Sequence, residues 1–109
     1  MNERISIYLE KYPAEVVNIF KVLRRLIYNS VSVDLAETLW ANLPSYYAGK
    51  AFVRLIPFKD HINIEAQAAI HHREELEGYR FTPKGMVQIY VKQDVPTEVL
   101  KRIFAETLI

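Results

Sequence analysis

The sequence contains no cysteine. That excludes disulfides, thiolate zinc sites and cysteine nucleophiles, and it fits a reducing cytosol. No apolar run approaches the length needed to span a membrane. The opening MNERISIYLEKY scatters charge where a signal peptide would carry an apolar segment, so no leader is expected. Charge of neither sign dominates, and a net +1 gives no argument for nucleic acid or membrane as partner. No HExxH spacing occurs, Lys84-Gly85 lacks the GxxxxGK[ST] frame of a Walker loop, and no motif places a histidine against Ser6, Ser30, Ser32 or Ser45. Repeats, linkers and low-complexity segments are missing as well. The expectation is one soluble, cytoplasmic, non-enzymatic domain spanning residues 1–109.

Half the residues are hydrophobic and a quarter charged, an ordinary globular composition. The densest apolar content lies in KAFVRLIPFKDHINIEA, residues 50–66. Residues 51–58 and 61–64 are β-branched and aromatic, and the polar pair Lys59-Asp60 separates them, which predicts a hairpin. That register sets Phe58 opposite His61, Pro57 opposite Ile62, Leu55 opposite Ile64 and Arg54 opposite Glu65. Val53, Leu55, Pro57, Ile62 and Ile64 then share the core face, while Phe52, Arg54, Ile56, Phe58, His61, Asn63 and Glu65 share the other. Arg54 and Glu65 should form a cross-strand ion pair worth a few tenths to about 1 kcal/mol. Pro57 has no N–H, so either the strand on its far side has ended by that point or residue 57 lies at a bulge.

The rest of the chain reads as follows. A short helix covers residues 3–11, and Tyr12-Pro13 breaks it. A second helix follows with Val16, Ile19, Phe20, Leu23, Leu26 and Ile27 at three-four spacing, and Arg24 and Arg25 on its polar side. A strand is predicted from Glu37 to Leu43, interrupted by Pro44-Ser45, then a short strand at Tyr46-Tyr47-Ala48. Residues 66–77 look helical, with Gly78 at the C′ position. Residues 79–85 form a loop, and Met86–Lys92 alternate as a strand with Val87, Ile89 and Val91 inward. Pro96 leads into a last helix burying Val99, Leu100, Ile103, Phe104 and Leu108. The fold class is α+β: an antiparallel sheet of about five strands with helices mainly on one face.

Several side chains could carry chemistry. Trp40, Phe52, Ile56, Phe58, His61, Met86 and Tyr90 gather on the outward face, too apolar a set to leave to water, so the face is an interaction surface or is covered by a helix. Lys84-Gly85 could hold an anion through the ammonium and a nearby backbone N–H. His71 and His72 point about 100° apart on a helix and do not chelate together. A hard metal ion would look to carboxylates, either Glu3, Glu10, Glu15, Asp34 and Glu37 in the first third of the chain or Glu74, Glu75 and Glu77, and both groups also read as solvated surface.

Three segments together resemble the YdhG-like family of small bacterial domains of unknown function, which includes a frataxin-like intracellular iron chaperone. They are YLEKYPAEVVNIFKVLRRLI, AETLWANLPSYYAGKAFVRLIPFKDHINI and GYRFTPKGMVQIYVKQDVPTEVLKRI. Phe58, Lys59, His61 and Ile62 are the most specific match, with Lys84-Gly85 and Pro96 next. The chain differs at Trp40-Ala41-Asn42-Leu43-Pro44, where the family carries a Ser-Tyr-Gly-Met-Pro type sequence, and in having Glu37 where the family has an acidic pair. The resemblance implies a frataxin-like α+β fold and, through one relative, iron as cargo, with Glu37 and His61 at the matching positions. Two readings of function remain. One is a binding domain for iron or a small ligand, with Trp40, Phe58, Lys59, His61, Lys84 and Tyr90 as ligand contacts. The other is an interaction module whose open sheet face takes a second copy of the chain or a small organic ligand.

Overall fold

The computed structural model describes the whole chain, Met1–Ile109. Helix α1 (Glu3–Leu9) starts at Asn2, whose side-chain oxygen accepts from the Arg4 N–H at 2.8 Å. Helix α2 (Ala14–Ser30) follows Pro13, whose carbonyl accepts from the N–H groups of Val16 and Val17, both at 3.0 Å. It buries Val16, Phe20, Leu23, Leu26 and Ile27 of the stripe its spacing predicts, with Ile19 half-buried. Helix α3 (Thr97–Leu108) buries Leu100, Ile103, Phe104, Thr107 and Leu108.

Six strands form one antiparallel sheet: β1 (Ala36–Trp40), β2 (Leu43–Ala48), β3 (Ala51–Pro57), β4 (His61–Ala66), β5 (Arg80–Phe81) and β6 (Val87–Tyr90). Their order across the sheet is β1-β2-β3-β4-β6-β5. The strand beyond the expected five is β5, two residues inside the segment read as a loop. The α+β class holds. Tyr46, Val53, Leu55, Ile62, Ile64, Val87 and Ile89 on one face are fully buried, together with Phe20, Leu23, Ile27, Ile103 and Phe104 of the helices. No helix is long and apolar enough to cross a membrane.

The β3–β4 hairpin has the expected register. Pro57 faces Ile62, Leu55 faces Ile64 and Arg54 faces Glu65. The Phe58 N–H donates to the His61 carbonyl at 2.8 Å, closing the Lys59-Asp60 loop. Pairing between β2 and β3 ends at Ser45 opposite Arg54, so nothing stands where Pro57 lacks its donor.

Three local expectations are overturned. The first strand does not run to Leu43, nor does Pro44-Ser45 interrupt it. The chain reverses at Ala41-Asn42, with φ of 49° and 65°, the left-handed pair of a type I′ hairpin. Pro44 instead lies inside β2 opposite Leu39, in a pair that exchanges no ladder bonds, so its missing donor is tolerated. Residues 66–77 are not an α-helix: Gln67–Leu76 is a 3₁₀ segment kinked at His72 (φ −117°, ψ 20°). It buries only Ala68, Ala69 and Leu76, too little to hold an α-helical stripe against the core. Gly78, with φ +93°, follows Glu77 at φ −58° and ψ 135°, and the Tyr79 N–H donates to the Leu76 carbonyl at 3.0 Å. That is a type II turn rather than a helix cap.

The 3₁₀ segment is fastened to α3 by polar contacts. The Ala68 N–H donates to Thr107 Oγ1 at 3.1 Å, and His72 bridges Glu75 (2.7 Å) and Glu106 (2.9 Å). Glu106 and then Glu75 raise the His72 imidazole above its ordinary 6.5, burial opposing them. A raised folded-state value means this contribution is whole below pH 6.5 and is lost as pH rises through it. Local opening of residues 67–76, read by hydrogen exchange after correction for the intrinsic rate, should therefore increase above neutrality. His72→Phe should flatten that dependence.

Ala41 offers a second test. Its left-handed backbone costs about 1–2 kcal/mol, against which glycine would lose roughly 0.5–1 kcal/mol of chain entropy. Ala41→Gly should thus raise unfolding free energy by about 0.5 kcal/mol in a denaturant titration; a lower midpoint would contradict the strain assignment.

Candidate functional site: the open face of the sheet

Alternation along six paired strands leaves one face of the sheet without a helix, and the register arranges its side chains in rows. Phe58, His61 and Tyr90 form the row beside the Lys59-Asp60 loop, since His61 pairs with Tyr90. Next come Trp40 with Leu43, and Ile56, Asn63 and Gln88 across β3, β4 and β6. Then follow Ser45, Arg54 and Glu65, and last Tyr47 with Phe52.

The first row is a ring stack. Phe58 and His61 lie 4.6 Å apart at 5°, and His61 and Tyr90 4.5 Å apart at 23°. Such pairs add about 0.5–1.5 kcal/mol each beyond the area they bury. His61 Nδ1 donates to the Asp60 carboxylate at 2.8 Å, while the Gln88 amide faces Nε2 at 3.5 Å and donates to Asn63 at 3.1 Å. The imidazole is thus clamped between two rings and oriented from both nitrogens.

The second feature was not visible in the sequence. Arg54 carries the expected ion pair with Glu65 at 3.3 Å, but its guanidinium also sits over two aromatic rings. It sits 4.0 Å from the Trp40 ring centre and 3.8 Å from that of Phe52. Its Nε donates to Ser45 Oγ at 3.1 Å and its Nη2 to the Tyr47 hydroxyl at 2.8 Å. Ser45 is fully buried beneath this arrangement, and its small side chain leaves room for an arginine to cross β2 toward Trp40. Arg54 is only 6% exposed. A desolvated cation between two rings contributes about 2 kcal/mol or more.

The six residues expected to contact a ligand therefore divide. Phe58, His61 and Tyr90 are brought together, and Trp40 shares their face. Trp40 (52% exposed) and Phe58 (42%) keep much of their ring area in solvent. Lys59 stands in the loop at the margin of the stack. Lys84 does not join them. It lies in the turn between β5 and β6, at the opposite end of the strands. Nor does a backbone donor assist it there: the Gly85 N–H donates to the Thr82 carbonyl at 2.9 Å and the Met86 N–H to Thr82 Oγ1 at 3.1 Å.

The metal expectation fails on geometry. Glu37 pairs with Tyr46 and so points to the helix side of the sheet, whereas His61 is on the open side. Three strand spacings, roughly 14 Å, also separate β1 from β4. Both Glu37 oxygens are taken. Oε2 accepts from Arg24 Nε at 2.6 Å, and Oε1 accepts from Arg24 Nη2 at 3.2 Å and from the Asn2 N–H at 2.8 Å. No group of three His, Asp or Glu side chains is arranged to hold a metal ion. These donors do not fit an iron ion.

Glu37 is instead the polar centre beneath the sheet. Burial pushes its carboxyl up, but the Arg24 guanidinium and the Asn2 N–H together outweigh that and hold it below the ordinary 4.5. Burial first, then the Glu37 charge, pushes the Tyr46 phenol well above 10. The Tyr46 hydroxyl, fully buried beside that carboxylate, makes no hydrogen bond of ordinary geometry. A depressed carboxylate stabilises the fold above pH 4.5, and the contribution is lost as pH falls through the folded-state value. Glu37→Gln should cost about 1–3 kcal/mol at pH 7, because Arg24 is left without its charge partner. The difference from the parent should shrink toward pH 3, as thermal melts across pH will show. A constant difference would mean that the ion pair is not the cause.

Comparison with protein-family models, with curated proteins and with solved structures returned no match for this chain. The α+β architecture is shown by the chain's own coordinates, and the YdhG-like resemblance rests on the three sequence segments that carry it.

Proposed function

We propose that this chain is a non-catalytic interaction module whose open sheet face pairs with the same face of a second copy. The observation that carries this reading is the exposure of Trp40 and Phe58 on a face no helix covers, beside Arg54 and Tyr90. Tryptophan, tyrosine and arginine are the residue types that dominate binding energy at interfaces. Around the ring stack the face is flat: none of the larger grooves of the molecule involves Phe58, His61 or Tyr90. Flatness favours a protein surface over a small molecule, which prefers a concave site.

Charge favours a like partner. The one cation inside the face, Arg54, is already paired with Glu65, and the remaining inner positions are aromatic, aliphatic or amide. Two such faces meet without like-charge repulsion at their centre. Six strands about 4.8 Å apart and two to seven residues long give a patch on the order of 500 Å² in projection. That is at the low end of specific interfaces, so the dimer is a weak, exchanging one. The hydrogen bonds of His61 and His72 go to carboxylates and an amide, not to a hydroxyl nucleophile, which supports a role without catalysis. Iron carriage would need converging donors, and Glu37 and His61 do not converge.

Trp40 is the only tryptophan and stands on the face in question, so its emission reports occupancy directly. Raising the concentration from micromolar to millimolar should increase the sedimenting mass toward a dimer and shift Trp40 emission to the blue. Phe58→Glu should weaken association at least about tenfold while leaving the thermal midpoint nearly unchanged. A strictly monomeric mass with constant emission up to a millimolar would sink the proposal.

A further inference from the structure

A groove of about 560 Å³ lies at the end of the sheet away from the ring stack, and the exposed Trp40 and Phe58 that carry the function proposed above take no part in it. We propose that it is a binding site for a small organic anion with an apolar body, a monocarboxylate carried on an aryl or alkyl group. The two hairpin turns at this end of the sheet each deliver one lysine to the groove, Lys50 from the β2–β3 turn and Lys84 from the β5–β6 turn.

Local geometry fixes both lysines. Gly49, at φ +63°, is the first residue of a two-residue turn, the type II′ pattern, so Lys50 follows it directly into β3. Gly85, at φ +91°, ends a three-residue turn closed by the Thr82 N–H donating to the Met86 carbonyl at 2.8 Å. The left-handed glycine at that place is the usual solution for such a loop. Neither lysine takes part in any ion pair of the molecule. Glu65, the one acid that lines the groove, is already occupied by Arg54. The groove therefore carries an excess of positive charge, two lysines against one carboxylate already shared with Arg54.

Its walls are apolar. Phe52 and Met86 come from the sheet and Ile70 from the 3₁₀ segment. Ile70 is 45% exposed, a large aliphatic side chain turned to a concave surface rather than packed into the core. The volume falls among those of small-molecule sites, roughly 300–1,000 Å³. An apolar wall with two compact ammonium groups at the rim selects an anionic head on an apolar body. The backbone N–H groups of Gly85 and Met86 are spent within their own turn, so the lysines alone supply the charge. A bare inorganic anion, which leaves the walls unfilled, should bind far more weakly.

The test uses the whole chain, isotope-labelled, and amide NMR shifts on addition of 4-phenylbutyrate, its neutral amide 4-phenylbutanamide, and inorganic phosphate, each alone. The expected result is saturable shifts from phenylbutyrate at residues 49–52, 66–70 and 84–86. The neutral amide and phosphate should each bind at least about tenfold more weakly. The double variant Lys50→Ala/Lys84→Ala should raise the phenylbutyrate Kd by at least about tenfold. Ile70→Asp should do the same, with both variants keeping the parent's spectrum elsewhere and its thermal midpoint. Phosphate binding as tightly as phenylbutyrate would overturn the apolar half of the proposal, and equal binding of the neutral amide would overturn the anionic half. Shifts confined to Phe58, His61 and Tyr90, or none at millimolar ligand, would overturn it altogether. Lys50, Lys84 and Ile70 stand at the opposite end of the strands from Phe58, so the same titration on Phe58→Glu reads the groove without face pairing.

Discussion

Two prolines set the geometry on which the candidate face depends. The register directs the missing N–H of Pro44 toward β3 and that of Pro57 toward β2, so both absent donors face the same seam. Pairing across that seam is confined to Ser45–Ala48 with Ala51–Arg54. Beyond Ser45 the two hairpins are free of each other, and the side chains at their tips, Trp40 and Phe58, are the ones left in solvent. Arg54 stands at the last paired position. Its guanidinium reaches from β3 over Ser45 to the ring of Trp40 on β1, binding the two hairpins just before the ladder ends. A cation held between rings thus does locally what the prolines prevent the backbone from doing.

The two sides of the sheet solve the polar problem in different ways. On the helix side a carboxylate is taken into a largely apolar layer, and Arg24 and the Asn2 N–H supply the compensation. That pair joins α2 to β1 and fixes where the start of α1 lies. On the open side the buried charge is the arginine, compensated by Glu65 and by aromatic faces that need no desolvation of a second ion. The first arrangement holds the layers together, while the second leaves aromatic edges outward and available. Glu37 and Arg54 therefore serve different ends, although each is a nearly buried charge on the same sheet.

Much of this was legible in the sequence where hydrophobic period and sterics agreed. The stripe of α2, the alternation of β6 and the register around Pro57 all follow from spacing and from one residue that cannot donate. The turn at Ala41-Asn42 was not legible, because alanine rarely adopts left-handed φ and the neighbouring Pro44 is a stronger punctuation mark. The segment 66–77 misled for the opposite reason: alanines and charges suit an α-helix, but they provide no stripe to dock one. Of the site, the Phe58–His61–Tyr90 row could be placed only after pairing was known. The Trp40–Arg54 contact joins strands that are not neighbours, and no pattern of period two reveals that. The placement of Lys84 at the far end depended on β5 and on the order of the last strands.

One contact at the start of α1 also decides how the molecule meets others of its kind. The Asn2 side-chain amide donates to the Glu37 carbonyl at 3.4 Å, and that carbonyl belongs to the outer edge of β1. At the other edge of the sheet, β5 is two residues long. An incoming strand finds a short and partly occupied border on one side and a two-residue strand on the other, so templated strand addition, the first step toward fibrils, has little ladder to extend.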